Sequence, residues 1–250
     1  MKATNFIKLS FVAVTVVLLS ACGSSGGSNP APVPDPTPTP TPVPTVITHN
    51  GTEYDTVTSP FTGKVWLDRN LGAARACIAF NDTACYGDYY QWGRNFDGHQ
   101  DSLSGTTATL ALDVGNAGSS DFIIGSPDWA PGPDLSGALR FANWSKSDGS
   151  SVCPVGFRVP TITELKDETI DAAAAVTNNT DAFNNFLKVP SAGGRDATTG
   201  VMGAEGVMGL MWTSTTAGIG AQAIRFHSAS ATIVPTNLRA VGVSVRCIQN

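Results

Sequence analysis

The sequence predicts an α+β domain of short strands, few helices and long irregular loops. Only 14% of the 250 residues are charged, against roughly 25% in typical soluble domains, whereas glycine and proline number 26 and 16. Several short segments alternate apolar and polar residues with the period of a strand. Helical signals are confined to a few short stretches. These features argue against coiled coils and long surface helices.

The first 21 residues have the pattern of an export signal. Lys2 and Lys8 provide a positively charged start, and an apolar run follows at 11–19. Crossing a hydrocarbon core of about 30 Å takes about 20 residues, so this run is too short to be a membrane helix. It matches the apolar region of a cleaved signal peptide.

The export signal ends in Leu19-Ser20-Ala21-Cys22, which resembles a bacterial lipobox. The resemblance implies cleavage before Cys22 and lipidation of its thiol and new amino group, with several acyl chains holding the protein on a membrane. Ordinary secretion, with Cys22 incidental, is the alternative. Because Gly23 rather than aspartate follows the cysteine, the pattern favours the outer membrane of a Gram-negative envelope.

A tether is predicted at 22–45, between the lipid and a folded domain at 46–250. A Gly/Ser-rich start leads into a segment in which every second residue from 30 to 44 is proline. Proline fixes φ and lacks the amide donor, so we expect an extended polyproline II spacer of roughly 45 Å. A docking ligand for a proline-binding groove is the alternative interpretation.

Four cysteines remain for the domain: Cys77, Cys85, Cys153 and Cys247. An even count in an exported chain indicates disulfides. Three pairings are possible, and we prefer Cys77–Cys85, which closes a short loop, with Cys153–Cys247, which ties the middle of the chain to its end. Thiolate metal binding is disfavoured because the C-x7-C spacing differs from that of zinc knuckles.

Alternating segments predict the strands. The segment 241–247 predicts a half-buried strand with Cys247 facing the core. The segment 224–227 alternates in the same way and puts Arg225 and His227 on its outer face. Two further short strands are predicted at 64–67 and 210–213.

Three helices are predicted. Residues 161–164 have the Ser/Thr-x-x-Glu form of a capping box, and the alanines at 172–175 extend the helix that begins there. A second helix begins at Thr180 or Asp181 and ends before Pro190. A third is predicted at 86–92. The stretches 97–157 and 191–209 have no period, as is usual for loops that are functional or carry their own packing.

The ordered motifs resemble the major paralogous domain first described in Fibrobacter succinogenes, over roughly 50–249. They are GTEYDTV at 51–57, KVWLDRNL at 64–71, YGDYYQWG at 86–93, CPVGFRVPT at 153–161, WTST at 212–215 and GVSVRC at 242–247. That family is similar in pattern to C-type-lectin-like folds, including relatives of the formylglycine-generating enzyme and the variable proteins of diversity-generating retroelements.

The resemblance implies a C-type-lectin-like domain with a small twisted antiparallel sheet, two helices and long irregular loops. It also implies that Cys153 pairs with Cys247, and it supplies no catalytic residues. Phe157 and Val159 stand where Trp and Leu are usual in the family. These replacements are conservative in volume, so the expected fold is unchanged.

The sequence contains no convincing catalytic set, and we expect neither an enzyme nor a bound cofactor. The G-x-S-x-G and H-E-x-x-H motifs are absent. Asp97, His99 and Asp101 are weak candidates for metal ligands, because Ala108 stands where a calcium loop carries its bidentate Glu. A plain polar turn is the alternative for these three residues.

Exposed aromatic residues in the long loops are the remaining candidates for ligand binding. Trp129 and Trp144, with Arg225 and His227, are of the residue types that dominate binding hot spots. The alternative is that the two tryptophans fasten the loops to the core.

These observations predict a non-catalytic lipoprotein of the bacterial cell envelope that binds a protein or a glycan. The alternatives are a formylglycine-generating-like or other enzyme, and a structural envelope protein. Nucleic acid is not an expected partner, because without Lys2 and Lys8 the 15 basic residues become 13 against 20 acidic ones, a net charge of −7.

Overall fold

The computed structural model describes residues 46–132 and 134–250. The predicted signal peptide at 1–21, the lipid-bearing Cys22 and the tether at 22–45 lie outside the described residues. The described part is mixed α/β, with mostly small antiparallel sheets and few helices, which confirms the predicted α+β class. Within it, no helix has the length and apolar character needed to cross a membrane.

The elements are short, except for three strands near the end of the chain. The strands are β1 Ile47–His49, β2 Thr52–Tyr54, β3 Thr56–Thr58, β4 Val65–Leu67, β5 Tyr90–Gln91, β6 Thr106–Thr107, β7 Phe122–Ile123, β8 Phe157–Arg158, β9 Gly194–Arg195, β10 Met202–Gly203, β11 Gly209–Ala217, β12 Gly220–His227, β13 Ser230–Asn237, β14 Gly242–Val243 and β15 Ile248–Gln249. The helices are α1 Ala138–Trp144, α2 Ile162–Asp167 and α3 Asn179–Asn184, and a 3-10 turn spans Thr83–Cys85.

The sheets join segments that are distant in the chain. β1 and β2 form a hairpin, β11, β12 and β13 form an antiparallel meander, and β6 pairs with β7 in parallel. A four-stranded sheet has the order β10-β9-β14-β5. Another has the order β3-β4-β15-β8, in which Ile248 lies opposite both Trp66 and Arg158. The last strand therefore sits between the first part of the domain and its middle.

β11 and β12 are largely buried on both faces of the meander, whereas β13 is partly exposed. Trp212 and Ala223 belong to an apolar cluster that also contains Trp92 and Trp144. Their neighbours along β11 and β12 face a second cluster, which packs against α2 and α3. A smaller cluster around Trp129 lies under the loops at 97–157, so this aperiodic stretch carries its own packing.

Both preferred disulfides are confirmed. Cys77 is bonded to Cys85 at a sequence separation of 8, and Cys153 to Cys247 at a separation of 94. Cys247 is fully buried, as its place in the alternating segment predicts.

The predicted strands at 64–67, 210–213 and 224–227 are confirmed as β4, β11 and β12. The predicted half-buried strand at 241–247 is confirmed only at Gly242–Val243, which is β14, and its expected outer face is buried as well. Arg246, on the expected outer face, has no exposed surface. It donates to Asn70 Oδ1 at 3.0 Å and to the Leu187 carbonyl at 2.8 Å, because other segments cover this face as well.

The capping box is confirmed, since Thr161 and Glu164 exchange side-chain and backbone hydrogen bonds at the start of α2. The extension of this helix through 172–175 is wrong. α2 ends at Asp167, and the buried carboxylate of Glu168 next to it accepts hydrogen bonds from the Ser59 and Thr62 hydroxyls. The predicted second helix is confirmed as α3, which begins at Asn179, one or two residues before the predicted start, and is capped by the Asn178 side chain.

The predicted helix at 86–92 is wrong. Gly87 has a left-handed φ of 74°, and a Cβ there would lie 2.2 Å from the Leu71 carbonyl oxygen. The amides of Asp88 and Tyr89 bond to the distant Leu71 and Gln100 carbonyls instead of to a helical neighbour. The sequence also failed to predict α1, because its buried residues include Arg140 while Leu139 and Phe141 are exposed.

Candidate ligand-binding cleft

The expectation that Trp129 and Trp144 are exposed is wrong. Both have no exposed surface. The Trp129 indole donates to the Trp92 carbonyl at 2.8 Å, and the Trp144 indole donates to the Arg94 carbonyl at 3.4 Å. These two tryptophans fasten the loops to the core, and neither has surface available to a ligand.

Arg225 and His227 lie on β12, whereas Trp144 and Trp129 belong to two buried clusters. Arg225 is exposed and His227 is half-buried, which agrees with the predicted outer face. They lie opposite Thr232 and Ser230 on β13. They therefore do not combine with the predicted aromatic residues into one site.

The weak metal candidates are held in a polar turn. The His99 Nδ1–H donates to Asp97 Oδ1 at 2.7 Å, and His99 Nε2 accepts from the Gln91 amide at 3.1 Å. Burial lowers the pKa of His99 to about 4, so the ring is neutral at pH 7 and both its nitrogens are occupied. Asp101 accepts from the Leu103 amide, and no three metal-ligating side chains converge anywhere in 46–132 or 134–250.

A cleft of about 220 Å³ lies beside the β1–β2 hairpin. The hairpin turns at Asn50-Gly51, whose φ values of 48° and 79° are both positive, as a tight two-residue turn requires. The hairpin contributes His49, Asn50, Thr52 and Tyr54 to the cleft. The other lining residues come from three further segments: Leu71 and Gly72, Asp88 and Tyr90, and Phe96, Gln100 and Asp101.

Asp88 is a carboxyl group of the cleft with a strongly raised pKa. Burial, reinforced by the charge of Asp101, raises its pKa from 3.8 to about 6, although the Tyr90 hydroxyl donates to Asp88 Oδ2 at 3.0 Å. Gly72 makes room for the carboxyl group, because a Cβ at that position would lie 2.3 Å from Asp88 Cγ. A carboxyl group that titrates near neutral pH in a cleft is typical of a functional site.

The cleft also has an aromatic wall. Phe96 is 46% exposed, whereas the rings of Tyr54 and Tyr90 are buried beneath the cleft. The Tyr54 hydroxyl accepts from the Gly72 amide at 2.9 Å, and His49 Nε2 bonds to the Val152 carbonyl at 2.8 Å. The tyrosine hydroxyls and the imidazole are thus committed to the protein, which leaves the Phe96 ring as the exposed apolar surface.

A wider depression of about 590 Å³ lies along the same hairpin and shares Thr52 and Tyr54 with the cleft. Its charged residues are Glu53, Asp55 and Arg69, and Arg69 is paired with Asp68 at 2.8 Å. It lacks the partly buried carboxyl group and exposed aromatic ring that distinguish the cleft.

The cleft presents carboxyl groups and an aromatic surface and has no lysine or arginine among its lining residues. These groups accept hydrogen bonds from hydroxyl or ammonium groups and pack against an apolar face. The lining residues include no cysteine or serine nucleophile. The sequence did not predict this cleft, although the Asn50-Gly51 turn and the Asp88 to Tyr90 motif were signals for it.

Comparison with known proteins gives no relative on which to base a function. No family model matches the chain, and neither a curated protein nor a solved structure matches it.

Proposed function

We propose that this chain is a non-catalytic lipoprotein of the bacterial outer membrane whose domain at 46–250 has a C-type-lectin-like fold and binds a glycan in the Asp88 cleft. The lipobox at Cys22, the proline-rich spacer and the ordered motifs support the anchor and the fold. The two disulfides agree with an oxidising compartment.

The observation that carries the binding proposal is the pair of carboxyl groups, Asp88 and Asp101, beside the exposed ring of Phe96. Carboxylates form strong, charge-assisted hydrogen bonds, here with sugar hydroxyls, while the apolar face of a sugar ring packs on an aromatic side chain. A cleft of about 220 Å³ accommodates a small saccharide unit. A protein ligand would need roughly 800 Å² of surface on each partner.

Binding is tested with the full mature chain in detergent micelles on a glycan array, followed by calorimetry with the best glycan. We expect Phe96→Ala and Asp101→Asn each to weaken binding roughly tenfold or more, as for hot-spot residues. Phe61→Ala is the matched control, because Phe61 is 36% exposed and does not line the cleft. Absence of glycan binding, or equal binding by all variants, contradicts the proposal.

The anchor has a separate test. Mass spectrometry of the mature protein should find acyl groups on an N-terminal Cys22. An unmodified terminus would contradict the anchor and leave the binding proposal standing.

A second candidate function is glycoside hydrolysis, favoured by the raised pKa of Asp88 next to Asp101. Glycosidases commonly use two carboxyl groups, of which the general acid has a raised pKa. Incubation of the bound glycan with the protein distinguishes the two functions. Cleavage that is lost in Asp88→Asn supports the hydrolase, whereas recovery of the intact glycan supports the binding protein.

A further inference from the structure

The outer edge of the meander is an unusual feature of the surface. β13 is the last strand in the order β11-β12-β13, and no described strand lies beyond it. It is 8 residues long and contains no charged residue. Proteins commonly protect such edges with charged side chains.

The hydrogen bonds of β11 define which way each backbone group of the meander points. The Trp212 amide donates to the Ser244 carbonyl at 3.0 Å, on the side of β11 opposite β12. The backbone N–H and C=O groups of its neighbour Met211 therefore point toward β12, where Met211 lies opposite Ile224. The backbone groups of Ile224 point back toward β11. Since the direction alternates along a strand, those of the next residue point toward β13.

That next residue is Arg225, which forms a hydrogen-bonding pair with Thr232 of β13. The N–H and C=O groups of Ala231 and Ile233 then point outward from the sheet. The backbone nitrogen and carbonyl group of Pro235 point outward as well. Proline has no N–H to donate, which is consistent with a position on an outer edge. The free edge is therefore centred on Thr232, with a donor and an acceptor on either side.

We propose that two copies of this chain pair antiparallel through β13 about a two-fold axis at Thr232. In this register Ala231 of one copy lies opposite Ile233 of the other, so each outward N–H meets a carbonyl oxygen. The two meanders then form one continuous sheet. The symmetry of the free groups about Thr232 makes the edge complementary to itself.

Charge does not oppose the approach of a second copy. β13 brings no charge to the interface. The nearest arginine, Arg225, lies one strand inward. The two copies of Arg225 are therefore about 14 Å apart, or three strand spacings. That distance exceeds the Debye length of about 8 Å at physiological salt, so their repulsion is largely screened.

The register predicts a specific cross-link. Thr232 is exposed and lies opposite itself across the axis. In a non-hydrogen-bonded antiparallel pair the Cα atoms are about 4.5 Å apart, within the range for a disulfide of about 4.4–6.8 Å. The full chain carrying Thr232→Cys, purified in detergent and mildly oxidised, should migrate as a covalent dimer on a non-reducing gel.

The matched control is Thr236→Cys, an exposed threonine of the same strand that does not face itself in this register. It should form no covalent dimer on the same gel. A second variant adds Ala231→Pro to Thr232→Cys and removes an outward N–H without removing a bond to β12. We expect the dimer yield to fall roughly tenfold, as the loss of main-chain hydrogen bonds implies, while circular dichroism stays unchanged.

Equal cross-linking of the two cysteine variants, or an undiminished dimer in the proline variant, would overturn the proposal. Disulfide capture of a different protein by Thr232→Cys in cells, without a homodimer, would overturn it too. None of these outcomes depends on the glycan experiment, because the cleft shares no residue with β13.

Discussion

Buried arginines hold the loops of this domain in place. Arg140 pairs with Asp128 at 2.5 Å and with Asp134 at 3.1 Å, and Arg239 reaches the other oxygen of Asp128 at 3.1 Å. Both guanidinium groups also lie over the Trp92 ring, at 5.6 and 5.2 Å from its centroid. Asp128 and Asp134 thus balance the two buried cations, and Asp128 bridges them.

We therefore predict that Asp128→Asn destabilises the protein by roughly 3–5 kcal/mol, because it leaves buried positive charge without its partner. Urea denaturation with the disulfides intact measures the loss. Asp167→Asn is the control, since Asp167 is exposed at the end of α2 and should change stability by less than about 0.5 kcal/mol. Similar values for both variants would contradict a structural role for the network.

The Asp88 carboxyl group should make the stability of the folded protein depend on pH. Its raised pKa means that the folded state binds this proton more tightly than the unfolded chain does. The resulting contribution to stability is fully present below pH 3.8, and it is lost as the pH rises through about 6. Asp88→Asn carries no charge, so at pH 7 it should be more stable than wild type by about 1–2 kcal/mol.

The measurement is urea denaturation from pH 4 to pH 7.5. The stability difference between Asp88→Asn and wild type should grow across this range, because only wild type acquires the buried charge. A constant difference would show that the Asp88 carboxyl group titrates normally. In Asp101→Asn, the fall in stability caused by ionisation of Asp88 should occur at a lower pH than in wild type, since the charge of Asp101 contributes to the raised pKa of Asp88.

At the level of elements, local chemistry predicted the helices that have side-chain caps. Thr161 and Asn178 cap α2 and α3, and both helices occur near their predicted positions. α1 begins after Gly137 without a side-chain cap. Gly137 also packs against the Arg239 guanidinium, with a hypothetical Cβ 2.7 Å from Nη2. Tertiary contacts therefore define α1, which explains why the sequence pattern did not indicate it.

The capping box of α2 predicts a stability change. Thr161→Ala removes the side-chain oxygen that accepts from the Glu164 amide, so we expect a loss of about 1 kcal/mol. Thr163→Ala is the matched control, because Thr163 is exposed within the same helix. Urea denaturation of both variants tests this. An equal effect of the two substitutions would show that helix propensity, and not the cap, determines the change.

At the scale of the described domain, the segment 247–249 joins distant parts of the chain. β15 lies between β4 and β8, and Cys247, just before it, is bonded to Cys153, a few residues before β8. The pairing of β15 with β4 and β8 thus joins three regions of the chain, and the Cys153–Cys247 disulfide joins two of the same regions. The other disulfide, Cys77–Cys85, closes only a local loop.

The two disulfides should therefore contribute unequally. In the chain-entropy model, closure of the 94-residue separation stabilises by roughly 4–5 kcal/mol, and closure of the 8-residue separation by roughly 2–3 kcal/mol. Paired substitutions, Cys153→Ala with Cys247→Ala and Cys77→Ala with Cys85→Ala, test this by thermal denaturation. The first pair should lower the melting temperature more. The reverse order would show that local strain or packing outweighs loop length.

The sequence alone was sufficient for the α+β class, the start of the capped helix α2 and strands β4, β11 and β12, each of which depends on composition or local spacing. The cysteine count indicated two disulfides but allowed three pairings, and the tertiary structure confirmed the preferred one. The burial of Trp129 and Trp144, the inward direction of Arg246 and the cleft around Asp88 became evident only in the tertiary structure. They depend on contacts between segments that are distant in the sequence. No local pattern specifies which segment covers which face of a strand.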